Sequence, residues 1–260
     1  MVELSKNDKK GLAIFAIVFV VAVAIFVGPQ FIDKPKFDEE TLCPIGTLYR
    51  QTVFLVDTTD ALDGREQRNL IGELENVKDS LAEFERLSIY LISEDIGGLS
   101  DPLFDKCRPP TGDNANKFIE APGLIRQRYN REFGDNLDEI IRRLPSTESA
   151  NHSPIIESLA DVANRIRRNT DKWSSVRVLI FSDMMQHTDD WSHYSGAASM
   201  DFGRFEKSRL GSTMMMDFGQ SDVEVFYLLR PATPNPELHR DFWAALLSSA
   251  NAKWRWVPVS

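Results

Sequence analysis

The sequence predicts an α/β chain: a doubly wound, mostly parallel sheet flanked by helices and preceded by one transmembrane helix. Three observations carry the prediction. Short β-rich apolar runs alternate with longer segments of helical period, the pattern of strand–helix–strand units with right-handed crossovers. The runs are apolar on both faces, as central parallel strands are. Near the N-terminus, Gly11 to Ile32 holds no charged residue.

That uncharged stretch follows a short polar tail, residues 1–10. Its centre, Leu12 to Val27, consists of Ala, Ile, Phe, Val and Leu. A helix needs about 20 apolar residues to cross the hydrocarbon layer, because its backbone must satisfy its own hydrogen bonds there. Gly28-Pro29 ends it, since proline lacks a donor and clashes with the preceding turn. Ala22-Val23-Ala24 fits a signal-peptidase pattern, but the apolar run continues through Ile25, Phe26 and Val27, so an uncleaved signal-anchor is expected over residues 11–32. Lys6, Lys9 and Lys10 precede it, and Lys34 and Lys36 follow it. The lysine balance places the N-terminus inside and the bulk of the chain on the non-cytoplasmic side of the membrane.

A linker, residues 33–46, leads into the α/β domain, residues 47–260. Thr52-Val53-Phe54-Leu55-Val56 reads as the first buried strand and ends in Asp57-Thr58-Thr59-Asp60. Gly64 to Leu87 reads as a helix, with Leu70, Ile71, Leu74, Val77, Leu81 and Phe84 at helical spacing. Ser88 to Ile92 is the second strand. Ile96 to Pro122 is loop-like, with Lys117 to Glu120 as its one strand candidate. Gly123 to Leu144 is helical, and a polar turn, Pro145 to His152, follows. Ser153-Pro154 opens a helix to Arg168, serine as the cap and proline at the first helical position. Val176 to Phe181 is the third buried strand and ends in Ser182-Asp183. After a polar loop to Gly203, Arg204 to Met216 is expected to be helical and Val223 to Leu229 extended. Pro236 to Asn251 is a helix, and Lys253 to Val259 a last strand.

In such sheets the functional crevice lies beyond the carboxyl ends of the strands. Two of those ends carry an acid, Asp57 and Asp183. Each follows an apolar run that buries it, and a buried carboxylate needs hydrogen bonds or a cation. Thr59 supplies a hydroxyl two residues after Asp57, and Ser153 supplies another from a separate loop. Together they form an all-oxygen set of the kind that suits Mg2+, or Mn2+ or Ca2+.

Val53-Phe54-Leu55-Val56-Asp57-Thr58-Thr59-Asp60-Ala61 resembles the first strand and first motif, Asp-x-Ser/Thr-x-Ser, of a von Willebrand factor A domain. Ser153 to Leu159 resembles that family's second motif, and Ile180-Phe181-Ser182-Asp183 its third. The resemblance covers Leu48 to Val259 and implies a Rossmann-like fold with a metal-ion-dependent adhesion site. Carried over, Thr59 and Ser153 would bind the metal directly, and Asp57 and Asp183 would bind it or orient its waters. Ala61 departs from the motif, where the family has a serine ligand. Asp60 and Asp63 are the nearby acids able to replace that oxygen.

Two cysteines are present, Cys43 and Cys107. They stand either as a disulfide closing a long loop or as two unrelated thiols. His187, His193, Asp189, Asp190 and Trp191 match no metal-ligand spacing and read as a solvated loop. Met184-Met185, Met214-Met215-Met216, Trp243, Trp254 and Trp256 read as packing. Arg126, Arg128, Arg131, Arg142 and Arg143 read as a solvated basic face.

The balance of 30 Lys and Arg against 39 Asp and Glu leaves a net charge of −9. Without a basic block, a nucleic-acid partner is excluded. No phosphate loop, dinucleotide loop or serine-hydrolase elbow is present. The expected function is a membrane-anchored protein–protein interaction module that docks a protein partner at the metal site, without catalysis. Two alternatives stand beside it: a structural subunit of a membrane complex with a metal-free site, and a metal-assisted phosphohydrolase built on Asp57.

Overall fold

The structure is a computed structural model that describes residues 14–21, 23, 36–95, 98–113, 121–144, 150–230 and 233–259. The chain divides into two units, Met1–Lys36 and Phe37–Ser260. In the first, residues 14–21 and 23 are helical, with exposed apolar side chains.

The second unit is built on a six-stranded sheet in the order β3-β2-β1-β4-β5-β6. Its strands are β1 Tyr49–Asp57, β2 Arg86–Ile92, β3 Phe104–Cys107, β4 Trp173–Ser182, β5 Asp222–Tyr227 and β6 Lys253–Pro258. Neighbours pair in parallel except β2 and β3, which are antiparallel. From β1 the chain first winds outward through β2 to β3, then returns to β4 and winds the other way. The reversal falls between β1 and β4, and the carboxyl ends of these two strands open a crevice there.

Alternation along β1 shows how the core forms. Val53 and Leu55 point into one apolar layer, and Phe54 and Val56 into the other, because successive strand side chains leave opposite faces. Helices α4 Ile155–Arg168 and α7 Pro236–Ser249 contribute to the first layer; α1 Gly64–Ser80 and α3 Asp135–Arg143 contribute to the second. The apolar stripe of α1, Leu70, Leu74 and Val77, is buried against the second layer.

Several elements differ from the sequence reading for local reasons. The expected helix over Gly123–Leu144 is three consecutive pieces: α2 Pro122–Tyr129, a π-turn Asn130–Gly134, and α3. A wider turn admits an extra residue, and it carries the fully buried Phe133. The expected helix Arg204–Met216 is split into α5 Phe202–Glu206 and α6 Arg209–Thr213. The Ser208 hydroxyl starts the second piece by accepting from Gly211 N at 3.0 Å, and Gly211 lies so close to the Phe205 carbonyl that no Cβ fits there. Strand β3 occupies a stretch read as loop. The candidate strand Lys117–Glu120 lies outside the described residues.

Cys43 and Cys107 are bridged, with their Cα atoms 4.9 Å apart. Beside the bridge, Cys107 N donates to Thr41 O at 2.7 Å. The segment from Phe37 is thereby fastened to the edge strand β3.

The sheet is mostly parallel, with β3 antiparallel at one edge. The expected fold class is corrected at its membrane helix. Among the described residues, no helix is long and apolar enough to cross a membrane. The expected single-pass membrane localisation, with the domain on the non-cytoplasmic side, is therefore unsupported. Residues 11–13, 22 and 24–32 of the expected span lie outside the described residues.

Candidate functional site

Asp57 is the last residue of β1, and Ser182 is the last residue of β4. The parallel register sets Val56 beside Phe181, so the next residues on each strand emerge together at the crevice. Ser182 Oγ donates to Asp57 Oδ2 at 2.6 Å. Asp57 Oδ1 accepts from Thr59 N at 3.0 Å and Thr59 Oγ1 at 2.6 Å. Ser153 Oγ lies 2.9 Å from Thr59 Oγ1. The single Thr59 hydroxyl proton serves Asp57, so Ser153 donates to the threonine oxygen.

Ser153 comes from the loop before α4, and a two-way backbone bridge holds it in place. Ser153 N donates to His187 O at 2.7 Å, and His187 N donates to Ser153 O at 2.9 Å. The expected capping role of Ser153 is not what the structure shows. Pro154 is the N-cap residue of α4 and makes no side-chain cap bond. Instead Gln186, from the loop after β4, accepts from Ile156 N through Oε1 at 2.8 Å. Its Nε2 donates to the buried Glu157 at 3.0 Å. Freed from capping, the Ser153 hydroxyl faces Thr59.

Asp183 follows directly on β4. Its Oδ1 accepts from Met185 N at 3.0 Å, and its Oδ2 is 3.5 Å from Arg230 Nε. Arg230, just beyond β5, is the residue the sequence reading missed. Its Nε also lies 3.4 Å from Glu66 Oε1, and one terminal nitrogen is 3.7 Å from Asp60 Oδ2. Glu66 simultaneously closes the capping box of α1 with Asp63. One guanidinium therefore gathers three carboxylates from three elements. Asp63 is spent as a helix cap, and Asp60 faces Arg230.

Burial governs the acids. Desolvation pushes the Asp57 carboxyl above its ordinary range, against the pull of the Ser182 and Thr59 hydrogen bonds. Asp183 is pushed up to about 7, first by burial and then by the Asp57 charge, with Met185 N–H and Arg230 opposing. Tyr194 stands half-exposed at the rim and is raised to about 12 by burial and the nearby Asp183 and Asp60 charges. Leu229, next to Arg230, is 61% exposed. Met184 adopts a left-handed backbone, φ 61, a strained conformation of the kind that gathers at functional sites.

The loop after β4 is solvated as expected at Asp189 and Asp190 but not at His193. His193 is fully buried, 4.6 Å centroid to centroid from Phe242 and 4.9 Å from His239. His239 Nδ1 meets Tyr227 OH at 2.8 Å, and Trp243 Nε1 donates to Met184 O at 2.9 Å. Burial pushes the His193 imidazole down to about 3 and the His239 imidazole to about 4, so both are neutral at ordinary pH.

The structure thus joins Asp57, Thr59 and Ser153 through hydrogen bonds and places Asp183 within reach of the same acids and of Arg230. As arranged, the set does not form a metal cradle. Among the described residues, no group of three or more His, Cys, Asp or Glu side chains is placed to hold an ion. The hydroxyls bond to one another and to Asp57, Ala61 offers no side-chain oxygen, and a guanidinium supplies the positive charge at Asp183. The expectation of a metal-ion-dependent adhesion site is corrected accordingly.

No known protein family matches the sequence, and no curated protein matches it. Two solved structures that it resembles are the PilB minor pilin from Streptococcus sanguinis and a point mutant of that protein. For the pilin, identity is 10% and the TM-score 0.38; for the mutant, 8% and 0.37. In both cases 82% of this chain is covered, and the chain spans 58% of the pilin's length. With no family model matching the sequence, the assignment to the von Willebrand factor A family is withdrawn.

Proposed function

We propose that this chain is a non-catalytic, structural protein-interaction subunit that receives a protein partner over the crevice between β1 and β4. The observation that carries the reading is Arg230, set among Asp60, Glu66 and Asp183 with Tyr194 and Leu229 exposed at the rim. Arginine and tyrosine are among the side chains that most often dominate protein–protein binding energy. The crevice floor supports docking rather than chemistry. A hydroxyl nucleophile needs an adjacent base; Ser153 is bonded to Thr59, and the His187 imidazole bonds Ser192 at 2.9 Å.

A photo-crosslinking residue placed at Leu229 in the full chain tests this in cells. It should trap a discrete partner, and Tyr194→Ala or Arg230→Ala should reduce the yield several-fold. If Leu229 captures no more than the same probe at Glu75, on the exposed side of α1, the crevice is not the docking surface.

A further inference from the structure

Strand β6 is one edge of the sheet, with β5 as its only neighbour among the described strands. Lys253 N donates to Ser221 O at 2.9 Å, so the backbone of Lys253, Arg255 and Val257 faces β5. A strand residue sends its N–H and C=O to the same side, and the next residue sends them to the other. Trp254 and Trp256 therefore turn both groups away from the sheet. Among the described residues, nothing bonds these two donors and two acceptors. Such a row is a template for one more strand. Pro258 closes the row, because at the next outward position it brings no donor.

The side chains specify which strand fits. On one face Trp254 and Trp256 are half-buried, their ring centroids 5.9 Å apart, with the Tyr227 ring 5.2 Å from Trp256. On the other face Lys253 and Arg255 are exposed. There the register sets Asp222 of β5 beside Lys253 and Glu224 beside Arg255, and Arg255 holds Glu224 at 2.9 Å. Acids on β5 are thus followed by cations on β6, and opposite charges side by side stabilise a sheet. Acids on the next strand would continue that alternation. A second copy of β6 does not supply them. A closed pair of copies is two-fold symmetric, so the two edges would run antiparallel. The register that uses all four free groups, Trp254 against Trp256 of the second copy, sets Arg255 directly opposite its own equivalent, and like charges there are destabilising. Sliding one way sets Arg255 opposite Lys253; sliding the other way sets Trp254 opposite Pro258, which has no donor. We infer that the β6 edge is a docking site for an extended acidic segment of a protein partner, added to the sheet as one more strand. Its alternate Asp or Glu side chains face Lys253 and Arg255, and its apolar ones lie over Trp254 and Trp256. β5 separates this edge from the crevice between β1 and β4, and the inference stands whether or not a partner docks there.

The test uses the full chain labelled with 15N-tryptophan and two blocked peptides, acetyl-Thr-Glu-Val-Glu-Val-Thr-amide and its counterpart with lysine in place of glutamate. The acidic peptide should move the backbone amide signals of Trp254 and Trp256 in a saturable way and slow their hydrogen exchange, and leave those of Trp173 and Trp191 in place. The lysine peptide should bind about tenfold more weakly or worse. Lys253→Glu and Arg255→Glu together, at two exposed positions, should reverse the preference; Lys253→Gln with Arg255→Gln, which adds no like charge beside Asp222 and Glu224, should abolish it. The inference is overturned if millimolar acidic peptide leaves the Trp254 and Trp256 signals unmoved, if they move without slowed exchange, or if the preference between the peptides survives both pairs of substitutions. It is equally overturned if the chain alone sediments as a dimer with these two amides already protected, since a second copy then holds the edge.

Discussion

Arg230 Nε approaches Asp183 Oδ2 to 3.5 Å across the mouth of the crevice, joining the loop after β5 to the end of β4. Asp183 is 5% exposed and the Arg230 side chain 23%. The guanidinium therefore adds to the Met185 N–H in compensating a carboxylate that burial and Asp57 both disfavour as an anion.

Removing Arg230 should cost stability in a pH-dependent way. Arg230→Ala leaves Asp60, Glu66 and Asp183 without their shared cation, an expected loss of about 1–3 kcal/mol near pH 8, since charge-assisted contacts of partly buried groups are worth that much. At pH 5 Asp183 is protonated and needs the cation less, so the loss should shrink. Urea unfolding at the two pH values measures it; an equal loss at both would mean that Asp183 is not the partner that matters.

The two hydroxyls should differ in weight. Thr59→Val takes one of two hydrogen bonds from the buried Asp57 Oδ1 and leaves Ser153 without an acceptor, for an expected cost of about 1–3 kcal/mol. Ser153→Ala removes only a donor to Thr59, and about 1 kcal/mol or less is expected. Chemical denaturation of both variants ranks them, and the reverse order would contradict the assigned direction of the chain of hydrogen bonds.

Stability should respond to acid through two opposing groups. The folded pKa of His193 and of His239 lies below the ordinary 6.5. As pH falls through 6.5 the unfolded chain takes up those protons first, so stability is lost from there downward. Asp183 acts the other way. Its folded pKa of about 7 stands above the ordinary 3.8, so its contribution is complete below 3.8 and is lost as pH rises through 7. Asp183→Asn should therefore flatten the alkaline side of a melting-temperature profile, and His193→Phe the acid side. A profile unchanged by either substitution would refute these assignments.

The disulfide spans 64 residues of sequence. On a chain-entropy account, closing a loop of that size stabilises by about 4 kcal/mol. Replacing Cys43 and Cys107 with serine together should lower the melting temperature by several degrees, and dithiothreitol should do the same to the native chain. A reductant-insensitive melt would show that Cys107 N and its neighbours hold the segment without help.

What the sequence discloses follows burial. β1, β2 and β4 are legible because strands covered on both faces are unbroken apolar runs, and Asp57 and Asp183 are legible because an acid after such a run is conspicuous. β3 is four residues with buried ends and a half-buried middle, too short and too polar to register. Arg230 lies beyond β5, a place the strand-end rule does select, but nothing in Leu229-Arg230 tells which carboxylates the guanidinium meets. Ser153-Pro154 has the composition of a helix start, yet the cap bond comes from Gln186, thirty residues on. His193 reads as solvated because the residues that enclose it, His239, Phe242 and Trp243, belong to α7.

The cap supplied by Gln186 has a mechanical corollary. The same side chain that finishes the first turn of α4 grows from the wall of the crevice, so the loop cannot swing outward without unravelling the beginning of the helix. A partner that docks there, as proposed, would meet a mouth whose width is set in advance and would have to fit that width rather than reshape it.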